Sequence, residues 1–515
     1  MTKDIKINLV DFDDGITNVG FRRISSIVKK SFFQTSVYIY NVSNISAHAF
    51  NIWKTTQTKI QLNKLFIEEI SNADVIGFSG MSKFSDYIKT TISEIRLKNR
   101  EALIVWGGVH ATVFPEDAIN YADAVCIGEG EKSFLNLLKV YKNGGEIDSC
   151  KGFWIRKNDE VIKNQLIPLM SNEELSKQPF QDYNYDINYV ANNIIKLMDK
   201  NVYISQMGTK YTTLWSLGCP FKCIYCSNNK FLKNSYEYGK IRYSKPEYII
   251  EEIVNVLRTH DYINYIEFQD DNILLIDLKD IRRFSYLYKN EVNLPLFIPG
   301  LHPSTFNQNK FELLLEAGVK KVRMGIQSVS QSTLNFYGRS TPIDKIKQVC
   351  DTLSSYYPQI IPPFYDIIID NPMESEEDKS NTLRFLRSIK RPYLLYIYSL
   401  RAIPGTELWD FVKCNPQFNI PDIAYSYQGI FDKQMGFMVY LLAFYSPSDS
   451  QYGFFLKISK NVKLVAYLFP VLKILYMIKR FYYEIKMSNY QPLAMISSKL
   501  AWVLIKISGK RKFRR

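Results

Sequence analysis

From Ile5 to about residue 145 the chain alternates short apolar runs with amphipathic ones: "KINLVDF", "GFRRISSIVKKSF", "SVYIYNV", "KLFIEEISNA", "DVIGFSG", "YIKTTISEIRLKN", "ALIVWGG", "DAVCIGEGE" and "KSFLNLLKVY". Runs such as "ALIVWGG" and "DVIGFSG" are apolar almost throughout, as parallel strands covered on both faces must be. The pattern predicts a doubly wound, flavodoxin-like (Rossmann-like) α/β domain over 1–145. Its glycine-rich turns "GFSGMS", "WGGVHAT" and "GEGE" fall at carboxyl ends of strands, where open α/β sheets bind ligands. Residues 146–200 contain "SKQPFQDYNYDIN" and lack sustained periodicity, and read as a connector.

Alternation resumes over 201–415, through "TLWSLGCP", "PEYIIEEIVNVLRTH", "YIEFQDDN", "DIRRFSYLYKN", "LPLFIPGLHP", "KFELLLEAG", "KVRMGIQS", "IDKIKQVCDTLSSY", "FYDIIID" and "YLLYIYSL". About six strand–helix units predict a full or partial parallel barrel. Residues 416–515 read as a mostly helical, aromatic-rich region.

Charge separates that last region from the rest. The chain of 515 residues carries +14, yet 451–515 alone holds 14 Lys and Arg against one acid, Glu484, which leaves the body close to neutral. The opening "MTKDIKINLVDFDDG" has acids where a signal peptide needs a basic start and an apolar core, so no export signal is read. Outside one cluster the cysteines, Cys126, Cys150, Cys350 and Cys414, show no spacing logic, which fits a reducing compartment and a cytoplasmic setting.

The exception is "GCPFKCIYCSNN", where Cys219, Cys223 and Cys226 stand within eight positions. Cys-x3-Cys-x2-Cys on a loop suits three corners of an iron–sulfur cubane with one iron left open. Zinc would need a fourth ligand, and His48, His110, His260 and His302 are all distant in sequence. A buried group of free thiols is the remaining alternative.

The motif resembles that of the radical S-adenosylmethionine (SAM) enzymes. "GLHPSTFNQNKFELLLEAGVKKVRMGIQSVSQSTLNFYGR", "YDIIIDNPMESEEDKSNTLRFL" and "YSLRAIPGTELW" are similar to successive segments of the subgroup whose amino-terminal domain resembles a cobalamin-binding (B12-binding) domain. The resemblance implies that Cys219, Cys223 and Cys226 ligate a [4Fe-4S] cluster, that Tyr225 packs near the adenine of SAM, and that Asp270, Asp271, Gln327 and Ser328 supply further SAM contacts. Asn272 shares the strand end with the two aspartates. Helix capping is the competing role for Asp270 and Gln327, and the favoured one for Ser375 with Glu376, Glu377 and Asp378.

For cobalamin the implied cradle is Ser79, Gly80, Gly107, Gly108, His110, Gly128, Glu129 and Gly130, in loops where glycine permits close backbone approach. The first loop, "DFDDGITNVGF", lacks the Asp-x-His-x-x-Gly pattern that gives cobalt a histidine, and His110 is expected to be a hydrogen-bonded packing residue. The implied activity is methyl transfer to an unactivated carbon or phosphorus centre. Alternatives are radical cyclisation, rearrangement or oxidation without methyl transfer, and a non-catalytic cobalamin sensor or scaffold. The implied partners are a small-molecule or lipid-like substrate and an electron donor such as flavodoxin or ferredoxin.

The tail raises a separate question. "VKLVAYLFPVLKILYMIKRFYYEIK" is apolar but interrupted by Lys463, Pro470 and Lys473, so no transmembrane segment is read. Lys473, Tyr476 and Arg480 share one helical stripe, while Leu468, Leu472, Leu475 and Ile478 offer an apolar surface. With "KISGKRKFRR" at the end, 451–515 suits a peripheral contact with an anionic membrane, or a solvated extension packed on the barrel. Nucleic acid ranks third, because no recognised module accompanies the basic tail.

Overall fold

The computed structural model describes residues 4–31, 33–42, 60, 62–191, 194–421 and 429–486. Strands β1 (Lys6–Asp13), β2 (Gln34–Asn41), β3 (Val75–Gly80), β4 (Leu103–Gly107) and β5 (Ala124–Cys126) pair in parallel in the order β5-β4-β3-β1-β2. That is the doubly wound, flavodoxin-like order. Successive residues of β1 enter different cores: Ile7 and Leu9 pack on one face of the sheet, Val10 and Phe12 on the other. This alternation is why the strands read as unbroken apolar runs.

The segment 146–200, expected as a connector, instead widens this sheet at both edges. Strands β6 (Phe153–Lys157) and β7 (Glu160–Lys163) continue antiparallel beyond β5, while β8 (Asn188–Ala191) pairs parallel with β2 and carries β9 (Ile194–Leu197) as an antiparallel edge. These strands are four or five residues long, and those at the two edges are largely exposed. Strands of four or five residues are too short to give a sustained periodic signal.

The second body is a parallel sheet of six strands in chain order: β10 (Lys210–Thr213), β13 (Tyr265–Phe268), β14 (Leu296–Leu301), β15 (Val319–Gln327), β16 (Phe364–Ile369) and β17 (Leu394–Ser399). Strands β10 and β17 are its edges, so the barrel is partial. Between β10 and β13 a small antiparallel clasp, β11 (Ser216–Leu217) with β12 (Arg242–Tyr243), brackets the cysteine loop.

Three helices, Lys433–Phe444, Asp449–Ser459 and Val462–Lys486, complete the described chain. The last of them closes the open side of the barrel. An edge strand presents unpaired backbone groups, and on β17 the Tyr476 hydroxyl donates to Leu395 O at 2.7 Å while accepting from Leu395 N–H. One turn further the Arg480 guanidinium lies 4.1 Å from the Tyr396 ring centroid, and Glu484 pairs with Lys321 of β15 at 2.5 Å.

Of the stripe Lys473, Tyr476 and Arg480, the last two turn toward the barrel, and Leu472 of the expected apolar surface is buried beside Tyr476. Their spacing is helical, but the partners they meet lie on β16 and β17 and could not be read from the helix alone. The closing "KISGKRKFRR" lies outside the described residues. Among those residues no single helix is long and apolar enough to cross a membrane; the bent pair Asp449–Ser459 and Val462–Lys486 meets that test only together.

The Lys321–Glu484 pair sits at side-chain exposures of 6% and 10%. Removing one partner of a buried pair strands the other charge, at about 3 kcal/mol. Glu484→Ala is therefore expected to move the denaturant midpoint of the barrel to markedly lower urea, whereas Lys457→Ala stays within about 0.5 kcal/mol of wild type. Equal midpoints for all three chains would show that the barrel does not depend on this helix.

Candidate functional site

The cysteine loop is held by backbone contacts that exclude side chains. Gly218 has φ +104°, and a Cβ there would lie 2.7 Å from the carbonyl oxygens of Lys240 and Tyr238. Cys219 N–H donates to Tyr238 O at 3.1 Å, and Ile224 N–H to Tyr337 O at 3.2 Å. Beneath the loop, Gly338 (φ +69°) passes so close to Lys222 that a Cβ would sit 2.5 Å from its carbonyl oxygen. Cys226 then precedes the helix Ser227–Asn234.

Cys219 and Cys223 are buried and Cys226 is half-buried. Burial pushes the Cys219 and Cys226 thiols up to about 12, with Asp271 and the neighbouring cysteines adding to the rise. At Cys219 and Cys226 burial thus favours the thiol, and bound iron would favour the thiolate. Among the described residues no three ligating side chains converge as a mononuclear metal would require. A cubane asks for something different, because each thiolate takes its own iron.

Two neighbours of the loop escaped the sequence reading. Arg339 places Nη1 3.6 Å from Cys223 Sγ and donates from Nη2 to Gly325 O at 2.8 Å. His302, distant in sequence, stacks on Phe221 of the loop at 3.8 Å between ring centroids. Its Nδ1 accepts from Ser304 N–H at 3.2 Å, and burial together with Arg339 pushes its pKa down to about 2, so the ring is neutral. The segments "NFYGR" and "GLHPST" carry both residues, but nothing in their local pattern indicates what they meet.

The residues expected around SAM divide into two groups. Asp270 is fully engaged: one carboxylate oxygen accepts from Trp215 N–H at 3.0 Å, and the other from Ser216 N–H at 2.6 Å and from the Ser216 hydroxyl. These bonds tie the end of β13 to the approach of the cysteine loop. Ser328 likewise donates to Glu374 at 2.8 Å. Ser375 and Asp378 form a capping box that starts the helix Glu376–Ser388.

Asp271, Tyr225 and Gln327 are the members that face open space or the thiols. Asp271 is exposed, yet desolvation by the neighbouring protein pushes its carboxyl up to about 6, with Asn228 opposing the rise. Tyr225 packs edge-on against Tyr337 at 5.1 Å, and after burial the Arg339 guanidinium is the main influence on its hydroxyl. Gln327 has φ +70° where β15 slips register against β16, a conformation that packing must enforce for a residue with a side chain. With Tyr225, Arg323, Asp366, Tyr398 and Arg401 it lines a cavity of about 310 Å³ at the mouth of the barrel.

The strand-end loops of the first sheet meet this mouth. Gly108 (φ +85°) would set a Cβ 2.9 Å from Ser79 Oγ and 3.2 Å from Gly80 N, whereas Gly128 (φ +83°) has nothing within 4 Å. Gly107 ends β4, and Gly130 opens the helix Gly130–Lys142 against Ile24. His110 and Glu129, both expected in the cradle, are occupied within the protein. The His110 ring nitrogens lie 3.2 Å from Ser82 Oγ and 3.0 Å from an Asp117 carboxylate oxygen, and the side chain is 1% exposed, the packing role anticipated for it. Glu129 pairs with Arg242 at 2.6 Å and accepts from Met170 N–H at 3.1 Å.

That ion pair is one of several contacts between the two bodies, among them Arg23 with Glu252 at 3.8 Å and with Leu214 O at 3.3 Å. Asn234 donates to Thr112 O at 3.5 Å, which seats the helix Ser227–Asn234 on the helix Gly108–Val113. Gly405 (φ +82°), in the "PGT" turn after β17, lies so near Val113 that a Cβ would fall 2.2 Å from its carbonyl oxygen. The thiol loop and the glycine loops therefore share one cleft.

Family comparisons agree with this two-part site. Residues 15–138 match the B12 binding domain and residues 214–386 the Radical SAM superfamily. The chain therefore joins a B12 binding domain to a Radical SAM domain, and it is an enzyme. It is 28% identical over 348 residues, 66% of this chain and 70% of the relative, to an uncharacterized methyltransferase, PH0819, of Pyrococcus horikoshii. It is 22% identical over 288 residues, 54% of this chain and 48% of the relative, to the anaerobic magnesium-protoporphyrin IX monomethyl ester cyclase of Rubrivivax gelatinosus.

Two solved structures share the fold. The radical SAM methyltransferase TsrM from Kitasatospora setae, with cobalamin and a [4Fe-4S] cluster bound, superposes with TM-score 0.60 at 14% identity, covering 79% of this chain and 74% of that one. The cobalamin-dependent radical enzyme OxsB, with aqua-cobalamin and SAM bound, gives 0.61 at 14% identity, covering 98% and 76%.

Arg339 supplies a test of the site. A positive charge beside a cluster ligand stabilises the reduced, more negative state. In chains reconstituted with iron and sulfide, Arg339→Gln is expected to keep its iron and shift the midpoint potential to more negative values, while Cys223→Ala loses the iron chromophore. An unchanged potential in Arg339→Gln would confine the arginine to bracing Gly325.

Proposed function

We propose that this chain is a cobalamin-dependent radical SAM methyltransferase acting on an unactivated carbon or phosphorus centre of a small or lipid-like molecule. The observation that carries the reading is the shared cleft: the helix leaving the cysteine loop packs on the helix leaving the Gly107–Gly108 turn. Cys219, Cys223 and Cys226 would hold the [4Fe-4S] cluster, and Tyr225, Asp271 and Gln327 would border SAM, with Asp270 and Ser328 fixing the loops behind them. Ser79, Gly80, Gly107, Gly108, Gly128 and Gly130 would shape the cobalamin cradle. When bound, the cluster would supply the electron for reductive cleavage of SAM, and cobalamin would serve as the methyl carrier.

The chain's own contribution is position and exclusion of water. Arg339 sets positive charge against Cys223, Gly218 and Gly338 let backbone replace solvent around the thiols, and the terminal helix shuts the open side of the barrel. No histidine of the first loop or of the Gly107–Gly108 turn is offered to cobalt. The Asp13 carboxylate turns back on Asp14 and Thr17 N–H groups at 2.7 Å, and His110 is buried against Ser82 and Asp117. A one-electron donor such as flavodoxin or ferredoxin and a cytoplasmic setting go with this chemistry.

The match to an anaerobic cyclase over 54% of the chain favours a second reading, in which the same radical acts without methyl transfer. Methyl-labelled SAM separates the two. Reconstituted enzyme turning over with reductant and its substrate is expected to form both 5′-deoxyadenosine and S-adenosylhomocysteine, with label in the product. Deoxyadenosine formed without S-adenosylhomocysteine would favour the second reading.

A further inference from the structure

The helix Val462–Lys486 has two apolar faces and the barrel uses one. Val465, Leu472 and Tyr476 are buried against it, and Arg480 and Glu484 continue that face into the barrel. On the other side Tyr467 (79% exposed), Val471 (54%), Ile474 (39%), Ile478 (59%) and Tyr482 (54%) form a continuous stripe at helical spacing. Phe454, 60% exposed, adds an apolar side chain on the helix Asp449–Ser459, which meets its successor at a bend of 118°. Large apolar patches on a free surface mark an interaction site.

Charge identifies the partner. Lys457, Lys460 and Lys463 stand at the corner between the two helices and Lys486 at the far end, and Glu484, the one acid in 451–515, is buried on Lys321. The stripe is thus rimmed by cations, and the one exposed carboxylate of the two helices, Asp449, is paired with Arg387. A second copy would set these lysines against themselves. A bilayer rich in anionic lipid matches every feature: acyl chains for Val471, Ile474 and Ile478, the interfacial zone for Tyr467, Tyr482 and Phe454, and phosphates for the lysines.

We propose that the outer face of the helices Asp449–Ser459 and Val462–Lys486 docks flat on an anionic membrane surface through Phe454, Tyr467, Val471, Ile478 and Tyr482, with Lys457, Lys460 and Lys463 on lipid phosphates. Docking in the plane leaves the inner face on the barrel, which insertion across the bilayer would not. The inference is independent of the reaction catalysed, so its failure would leave the methyltransferase reading untouched.

The test is co-sedimentation of the full chain with vesicles of phosphatidylcholine alone or mixed with phosphatidylglycerol. Retention is expected on the mixed vesicles, falling about fivefold for each of Lys457→Gln, Lys460→Gln and Lys463→Gln and lost in high salt. Tyr467→Asp with Ile478→Asp is expected to abolish retention while leaving the thermal midpoint unchanged. Equal retention on both vesicle types, or retention surviving the aspartate pair, would overturn the proposal, the latter by placing binding in 487–515. A concentration-dependent dimer dispersed by Tyr467→Asp would overturn it in favour of a second copy.

Discussion

Backbone pressed against backbone at Gly338 and Gly405 is the constraint on which the rest depends. At each position a Cβ would collide with a carbonyl oxygen, of Lys222 in one case and Val113 in the other, so no side chain can stand there. The first contact seats the cysteine loop on the barrel, and the second seats the barrel on the strand-end helix of the first sheet. Together with the Glu129–Arg242 pair they bring two loops, separated by about a hundred residues of sequence, into one cleft. Glycine serves here because it permits both the positive φ and the approach.

The barrel interior is organised by paired charges. Lys210 meets Glu267 at 2.6 Å, Arg323 meets Asp366 at 2.7 Å, and Lys321 meets Glu484 at 2.5 Å. Such pairs are costly to desolvate and are retained where geometry matters more than stability. The third is completed by a helix from outside the barrel, which makes the terminal region part of the catalytic body. The remaining face of that helix is then available for another role.

Much of this was legible in the sequence, for identifiable reasons. Strands such as β1 and β4 are covered on both faces and so announce themselves as apolar runs, and Cys219, Cys223 and Cys226 carry their spacing openly. The capping box at Ser375 and Asp378 was equally plain, because its partners are three residues apart. What stayed hidden depends on partners far along the chain. The bonds of Asp270 to Trp215 and Ser216, the stacking of His302 on Phe221 and the bond of Tyr476 to Leu395 all join residues far apart in the chain. The edge strands of 146–200 were missed because four or five residues with exposed side chains have no period to show.

The central claim is that two cofactors share the cleft between the sheets, and metal content per chain tests it most directly. After anaerobic reconstitution with iron, sulfide and hydroxocobalamin, followed by gel filtration, the account predicts about four irons and about one cobalt bound per chain, with the visible spectra of both groups. Iron retained without cobalt would contradict it, reducing the first sheet to a structural companion of a radical SAM barrel.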